Sequence, residues 1–395
     1  MKTNKILCLF LGLSLLGFSS CEDELNIRSE ASLDATTTLS TEDVDKLLTA
    51  VYNRMMEPSS YAYFNIMTTE IMSDNYRPIK FQWFQVQNLY EHNVPADDIL
   101  LSYGYFGYFR AIERIHTVMR VPSASTAQIA MARYCRALSY LRLYDSFERV
   151  PLVDENYDNK PIAPSSKEDV LDFIVKDLEF AMANSPAFNA KNAEVSQCTP
   201  TQEAAKALLA RVYRIQGDLP SAGALAEELI TSGKFSLAVN PSEYRGETIM
   251  RFAGNKGEEN GSWGWIMSPQ AATWNCFAAA DELVALVKGD DTRASLFRYN
   301  TEHGAYFSTK YTTDDDSDLL VSRIAEMYLI SAEAGNANRL TEFQSVRKSA
   351  LALDQERRLE LSFEWVRWQD MKLAGETYVL PYPQRAVDSN HLLKN

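Results

Sequence analysis

The chain has 395 residues, of which 46% are apolar, enough for a large buried core. Its formal charge of −14 repels phosphates, which argues against nucleic acid or anionic headgroups as partners. Five cysteines and four histidines show neither C-x-x-C nor metal-ligand spacing, so no metal, no cofactor and no disulfide framework is expected.

The first element is a leader, MKTNKILCLFLGLSLLGFSSC. Lys2 and Lys5 open it, Ile6 to Phe18 are apolar but too short to span a bilayer, and Ser19-Ser20 are small residues ahead of Cys21. Residues 1–20 are therefore expected to be cleaved, and Cys21 is expected to carry lipid. Losing Lys2 and Lys5 takes the charge from −14 to −16, and the mature chain starts on the acidic run Glu22-Asp23-Glu24. After residue 21 no stretch is apolar for long enough to cross a membrane, so the expected product is a soluble body held to a membrane by its lipid anchor only. Its single domain, 21–395, would have an N-terminal part over about 21–240 and a C-terminal part over about 241–395.

Helical spacing dominates the mature chain. Helices are expected over Thr41–Met56, Tyr105–Val118, Thr126–Phe147 and Lys167–Asn184, the second and third parted by a break at Pro122–Ser125. The clearest helix is capped by Thr199 or Thr201 and stopped by Gly217, after which Leu219–Thr231 forms the return arm of a hairpin. Ala207, Leu209, Ala210, Tyr213, Gly217-Asp218 and Ala222 in this hairpin resemble one tetratricopeptide repeat, where small residues let helices approach closely. Further helices are expected over Ala279–Val287, Val321–Ala334 and Leu353–Met371, and no stretch alternates convincingly as strand. The fold class is all-α: a tetratricopeptide-like helix-hairpin scaffold with long irregular loops over Pro58–Pro95, Phe235–Thr273 and Asp290–Ser317.

Several segments together resemble the SusD/RagB family. They are the leader with Cys21, the tyrosine-rich helix Met131 to Val153, Ala204 to Tyr213, and Ala280-Asp281-Glu282-Leu283-Val284 with Asp290-Asp291-Thr292-Arg293. The most specific is Arg323 to Leu329 followed by Glu356-Arg357-Arg358-Leu359-Glu360-Leu361 and Glu364-Trp365-Val366-Arg367-Trp368-Gln369-Asp370, then Leu380-Pro381-Tyr382-Pro383. The family pattern there is E-R-R-x-E-L, E-G-x-R-W-x-D, so Trp365 stands at the glycine step. Glu148 and Arg149 likewise stand where a glycine is common, and that turn is expected to be shaped differently. The resemblance implies an outer-membrane, cell-surface lipoprotein that captures a nutrient and passes it to a SusC-like, TonB-dependent transporter. From the residues themselves, Arg357, Arg358 and Arg367 alternate with Glu356, Glu360, Glu364 and Asp370 at helical spacing, which reads as opposite-charge ladders able to dock other helices. The same arginines would keep Glu360 and Glu364 ionised, which is wrong for a general acid, and no catalytic residue is assigned.

Sugars bind to flat aromatic platforms flanked by amides and carboxylates, and two loops supply such groups. One runs from Asn75-Tyr76-Arg77 through Trp83 to Asn88 and Tyr90, the other from Asn260 through Trp263 and Trp265 to Trp274-Asn275. The candidate ligand residues are Tyr76, Trp83, Tyr90, Trp263, Trp265, Trp274 and Asn275, and the loops are expected to meet as a groove. Extended backbone would put Trp263 and Trp265 on one face as a clamp; otherwise they cover the core. Phe81 and Phe84 flank Trp83 and can bury it.

The leading expectation is a non-catalytic protein binding an oligosaccharide or a peptide. A surface glycoside hydrolase is the enzymatic alternative, opposed by the lack of a nucleophile elbow, metal cluster or carboxylate pair in a cleft. A helical-repeat scaffold that binds only protein is the third.

Overall fold

The computed structural model describes residues 39–57, 61–239, 245–254, 276–311 and 317–394. The leader, Cys21, Trp263, Trp265, Trp274 and Asn275 lie outside the described residues. The chain divides into two units, Met1–Ser40 and Thr41–Asn395, and every element below belongs to the second.

The longer helices between residues 99 and 231 begin where side chains satisfy their free N–H groups. After α1 (Thr41–Met55) and the short α2 (Tyr63–Ile66), a π-helical turn over Met67–Ile71 leads to β1 (Tyr76–Lys80) and α3 (Phe84–Tyr90). Helix α4 (Ile99–Met119) starts six residues before its expected Tyr105, because the Asp98 carboxylate accepts from the N–H groups of Leu100 and Leu101 at 2.8 and 3.3 Å. Helix α5 (Thr126–Phe147) opens on a capping box in which Ser125 and Gln128 bond each other's backbone. Helix α6 (Lys167–Asn184) is capped by Ser166; the short α7 (Ala193–Gln197) precedes α8 (Gln202–Gln216), capped by Thr201 and ended by Gly217 at φ +82°. Asp218 then caps α9 (Leu219–Thr231).

In the C-terminal half the elements are shorter: β2 (Thr248–Phe252), β3 (Cys276–Ala279), α10 (Asp281–Val284), β4 (Phe297–Asn300), β5 (Ala305–Ser308) and β6 (Leu319–Arg323) lead into α11 (Ile324–Glu333). Helices α12 (Ala337–Arg347), α13 (Leu353–Glu360), α14 (Arg367–Leu373) and α15 (Gln384–Ser389) complete the chain. Helices α4, α5, α6, α8, α9, α11 and α12 each pack on the next, which is the expected stack of hairpins. Close approach is enforced where a side chain is missing: a Cβ on Gly223 of α9 would sit 2.5 Å from the Ala334 Cβ just after α11. One cluster of buried side chains runs from Val44 to Leu393, through both expected parts of the domain.

The helical class stands, with three antiparallel two-stranded ribbons added among the described residues: β1–β3, β2–β6 and β4–β5. The expected helix Val321–Ala334 begins instead as strand β6 and turns helical at Ile324; Ala279–Val287 contracts to α10. The expected helix Leu353–Met371 is broken between Glu360 and Arg367, where Phe363 and Trp365 take φ of +67° and +68°. Side chains on a helix cannot follow such a backbone, so the break is built in.

Candidate ligand-binding site

The first aromatic segment is held at its base by a strand pair. Tyr76, Arg77, Pro78 and Lys80 of β1 lie opposite Ala279, Ala278, Phe277 and Cys276 of β3. Cys276 directly follows Trp274-Asn275 in sequence, so the second aromatic segment re-enters the described chain beside Lys80, where the first one departs. Arg77 adds an ion pair to Asp281 across the ribbon at 3.2 Å.

Beyond β1 the rings divide by exposure. Tyr76 is only 3% exposed, with its ring 4.7 Å from that of Phe363 and 6.2 Å from that of Phe277. Its expected role as a ligand contact is corrected: its strand position turns it into the core. Phe81, Trp83 and Tyr90 are half-buried against the core, with Phe81 and Tyr90 in ring contact at 5.8 Å. Phe84, expected as possible cover for Trp83, is 65% exposed at the start of α3. Hairpin β4–β5 supplies two rings that the sequence did not single out. Tyr299 and Tyr306 are exposed cross-strand partners with centroids 5.0 Å apart. The alternation Ala305-Tyr306-Phe307 is the signal that could have found them, since Ala305 and Phe307 are buried beside Ala278 and Ile79.

The segment leading to β1 hangs from the C-terminal motif. Arg367 grips Asp74 through two bonds of 2.6 and 2.7 Å, and Arg358 donates to the Asp74 carbonyl at 2.6 Å and to the Asn75 Oδ1 at 3.3 Å. The Glu70 carboxylate, on the π-helical turn, accepts from the N–H groups of Phe363 and Trp365 at 3.2 and 2.8 Å and from Asn75 Nδ2 at 3.3 Å. Burial pushes the Glu70 carboxyl up to about 7, against the lowering effect of these bonds.

The expected charge ladders are corrected in the same place. The motif's charges pair across elements: Arg357 with Asp370 at 2.8 Å and Glu326 at 3.4 Å, Glu356 with Arg293 at 2.6 Å, and Glu360 with Arg347 and Arg323 at 2.8 and 3.1 Å. With the helix broken after Glu360, one-turn partners no longer share a face; the docking role survives and the ladder does not.

Comparisons with known proteins meet this geometry from two sides. A SusD-like family model described as starch-binding and associating with the outer membrane matches residues 25–214. A SusD-like protein of Bacteroides ovatus is 24% identical over 92% of this chain and 81% of its own length. Over these residues the chain is similar to the SusD/RagB family. Among solved structures, a laminarin-binding SusD-like protein shares the fold at a TM-score of 0.74 and 20% identity, over 89% of this chain and 98% of its own. A putative sugar-binding protein from Bacteroides vulgatus does so at 0.77 and 17%, over 91% and 98%.

Two acidic residues of the signature, Glu360 and Glu364, are held ionised and so are unsuited to act as a general acid. Burial alone would push the Glu360 carboxyl up, but Arg347 and Arg323 hold it far below the carboxylate range. Glu364, likewise buried, is held down by Arg323 and Lys310. No group of three or more His, Cys, Asp or Glu side chains among the described residues could hold a metal. No described helix is long and apolar enough to cross a membrane.

Proposed function

We propose that this protein is a non-catalytic, lipid-anchored surface protein that binds an oligosaccharide at its two aromatic segments and hands it to a TonB-dependent transporter. The observation that carries the binding site is the β1–β3 pairing, which sets the departure of the Trp83-Phe84 segment beside the return of the Trp263 to Asn275 segment. Trp83, Tyr90, Trp263, Trp265, Trp274 and Asn275 are the ligand residues of this reading, and exposed Phe84 joins them in place of buried Tyr76. Stacking of a pyranose face on such rings supplies about 1 kcal/mol per contact, and amides such as Asn275 supply direction. The anchor at Cys21 is read from the leader, and the transporter partner is drawn from the family. So is the choice of glycan, to which the laminarin-binding neighbour lends support.

The test is titration of the mature protein with purified starch, laminarin and cellulose oligosaccharides. A glycan that binds the wild type should lose about tenfold or more in affinity with Phe84→Ala and Trp83→Ala together, the worth of one to two stacking contacts. Unfolding by heat should barely change for Phe84→Ala alone. Unaltered binding in the double variant, or release of reducing sugar by the purified protein, overturns the reading. Co-purification of a barrel protein from membranes checks the partner.

A further inference from the structure

One cavity shares no lining residue with the aromatic segments. It is an open hollow of about 300 Å³ between α4, the stretch joining α5 to α6, and the end of the chain around α15. That size is at the small end of ligand pockets, about 300–1,000 Å³. Phe106, Phe109 and Tyr157 form its aromatic wall, and Glu113, His116 and Ser389 are among its polar groups.

The polar arrangement on α4 is unusual in what it leaves unused. His116 is 1% exposed and receives the Arg136 guanidinium on Nε2 at 3.2 Å. A guanidinium only donates, so Nε2 is the acceptor and the imidazole proton sits on Nδ1. Arg136 is fixed in that role by two bonds to Asp177 at 2.7 and 2.9 Å and one to Glu155 at 2.9 Å. Burial and the adjacent Arg136 charge hold His116 down to about 4, so the ring stays neutral. On the other side, Nδ1 faces the Glu113 carboxylate at 3.9 Å, beyond hydrogen-bond distance, while Arg120 secures that carboxylate at 2.7 Å. A donor and an acceptor are thus held apart beside aromatic rings. A hydroxyl oxygen lying to the cavity side of the pair, about 2.8 Å from each atom, would accept from Nδ1–H and donate to Glu113, completing both.

We propose that this cavity is a second carbohydrate site, which takes a neutral mono- or disaccharide with a ring face on the aromatic wall and one hydroxyl bridging His116 and Glu113. This site is independent of the aromatic-segment groove, and the test separates the two.

The mature protein is titrated calorimetrically with glucose, galactose, mannose, maltose, cellobiose and laminaribiose. Two variants address the cavity from exposed positions: Ser389→Trp, which fills the opening, and Glu113→Ala, which removes the acceptor. Trp83→Ala addresses the other site. The expected result is that at least one sugar binds both the wild type and Trp83→Ala, and that this event weakens about tenfold in Glu113→Ala, the worth of one charged hydrogen bond, and disappears in Ser389→Trp. Thermal unfolding of each variant confirms that it is folded, and either cavity variant alone suffices if the other is not. Absence of binding by all six sugars overturns the proposal. So does a binding event that survives the cavity variants, or one that is lost with Trp83→Ala.

Discussion

Arg367 holds Asp74 in a two-bond grip across 293 positions of sequence, tying the last signature helix to the segment that leads into the aromatic site. Burial would raise the Asp74 carboxyl, yet Arg367 and Arg358 keep it below its ordinary value. The pair is partly open to water, so its stability contribution is small, about 1 kcal/mol or less. Its larger role is to position the base of β1. Arg367→Ala is expected to shift thermal unfolding only slightly while weakening glycan binding several-fold, and Arg367→Lys to restore the charge but not the two-pronged geometry. Equal, small effects on both readouts would remove the positioning role.

Glu70 makes stability fall as pH rises. Its folded value of about 7 lies above the ordinary 4.5, so between those values the folded state holds more protons than the unfolded one. The slope of unfolding free energy is therefore negative from about pH 4.5 to 7, flattens above, and amounts to about 3 kcal/mol in all for this group. Glu70→Gln removes the titration but keeps an acceptor. Urea unfolding at pH 5 and pH 8 should show the wild type losing stability relative to Glu70→Gln. Parallel behaviour of the two proteins would rule the titration out.

The pair Arg211–Glu326 joins α8 to α11 with bonds of 2.9 and 2.6 Å between buried groups. Against the raising effect of burial, Arg211 holds Glu326 down to about 2, so this contribution is present above pH 4.5 and is lost as pH falls towards 2. Arg211→Leu leaves buried Glu326 with only the longer contact to Arg357 and should cost about 3 kcal/mol. The double replacement Arg211→Leu with Glu326→Leu should cost less than either change alone. Denaturant unfolding of the three variants decides it, and additive losses would contradict the pairing.

Helix ends were legible where the cap is a side chain in the local sequence. Thr126–Phe147, Lys167–Asn184 and Leu219–Thr231 coincide with α5, α6 and α9, whose caps are Ser125, Ser166 and Asp218. Strands β2 and β6 were not legible, because every residue in both is buried and no alternation reaches the sequence. The partners of the signature charges were equally hidden: spacing of three and four names helix neighbours, whereas Asp74, Glu326 and Arg293 arrive from distant segments. In the first aromatic segment, aromatic content did not say which rings face out. Tyr76 is buried and Phe84 exposed because β1 is a strand with one side on the core and Phe84 opens a helix on the surface.

Two left-handed residues carry opposite predictions. Lys348 ends α12 at φ +56° and is exposed, while Trp365 stands at the family's glycine step with φ +68° and is wholly buried. Glycine relieves about 1–2 kcal/mol of left-handed strain at either place and gives back about 0.5–1 kcal/mol in chain entropy. At Lys348 relief wins, so Lys348→Gly should raise the unfolding free energy by about 0.5 kcal/mol. At Trp365 the change also deletes a buried indole, a loss of about 3–5 kcal/mol that exceeds any relief. Trp365→Gly should therefore lower stability by about 2–4 kcal/mol in denaturant unfolding, even though it restores the family's residue. A neutral or stabilising Trp365→Gly would mean that the ring does little packing, contrary to its burial.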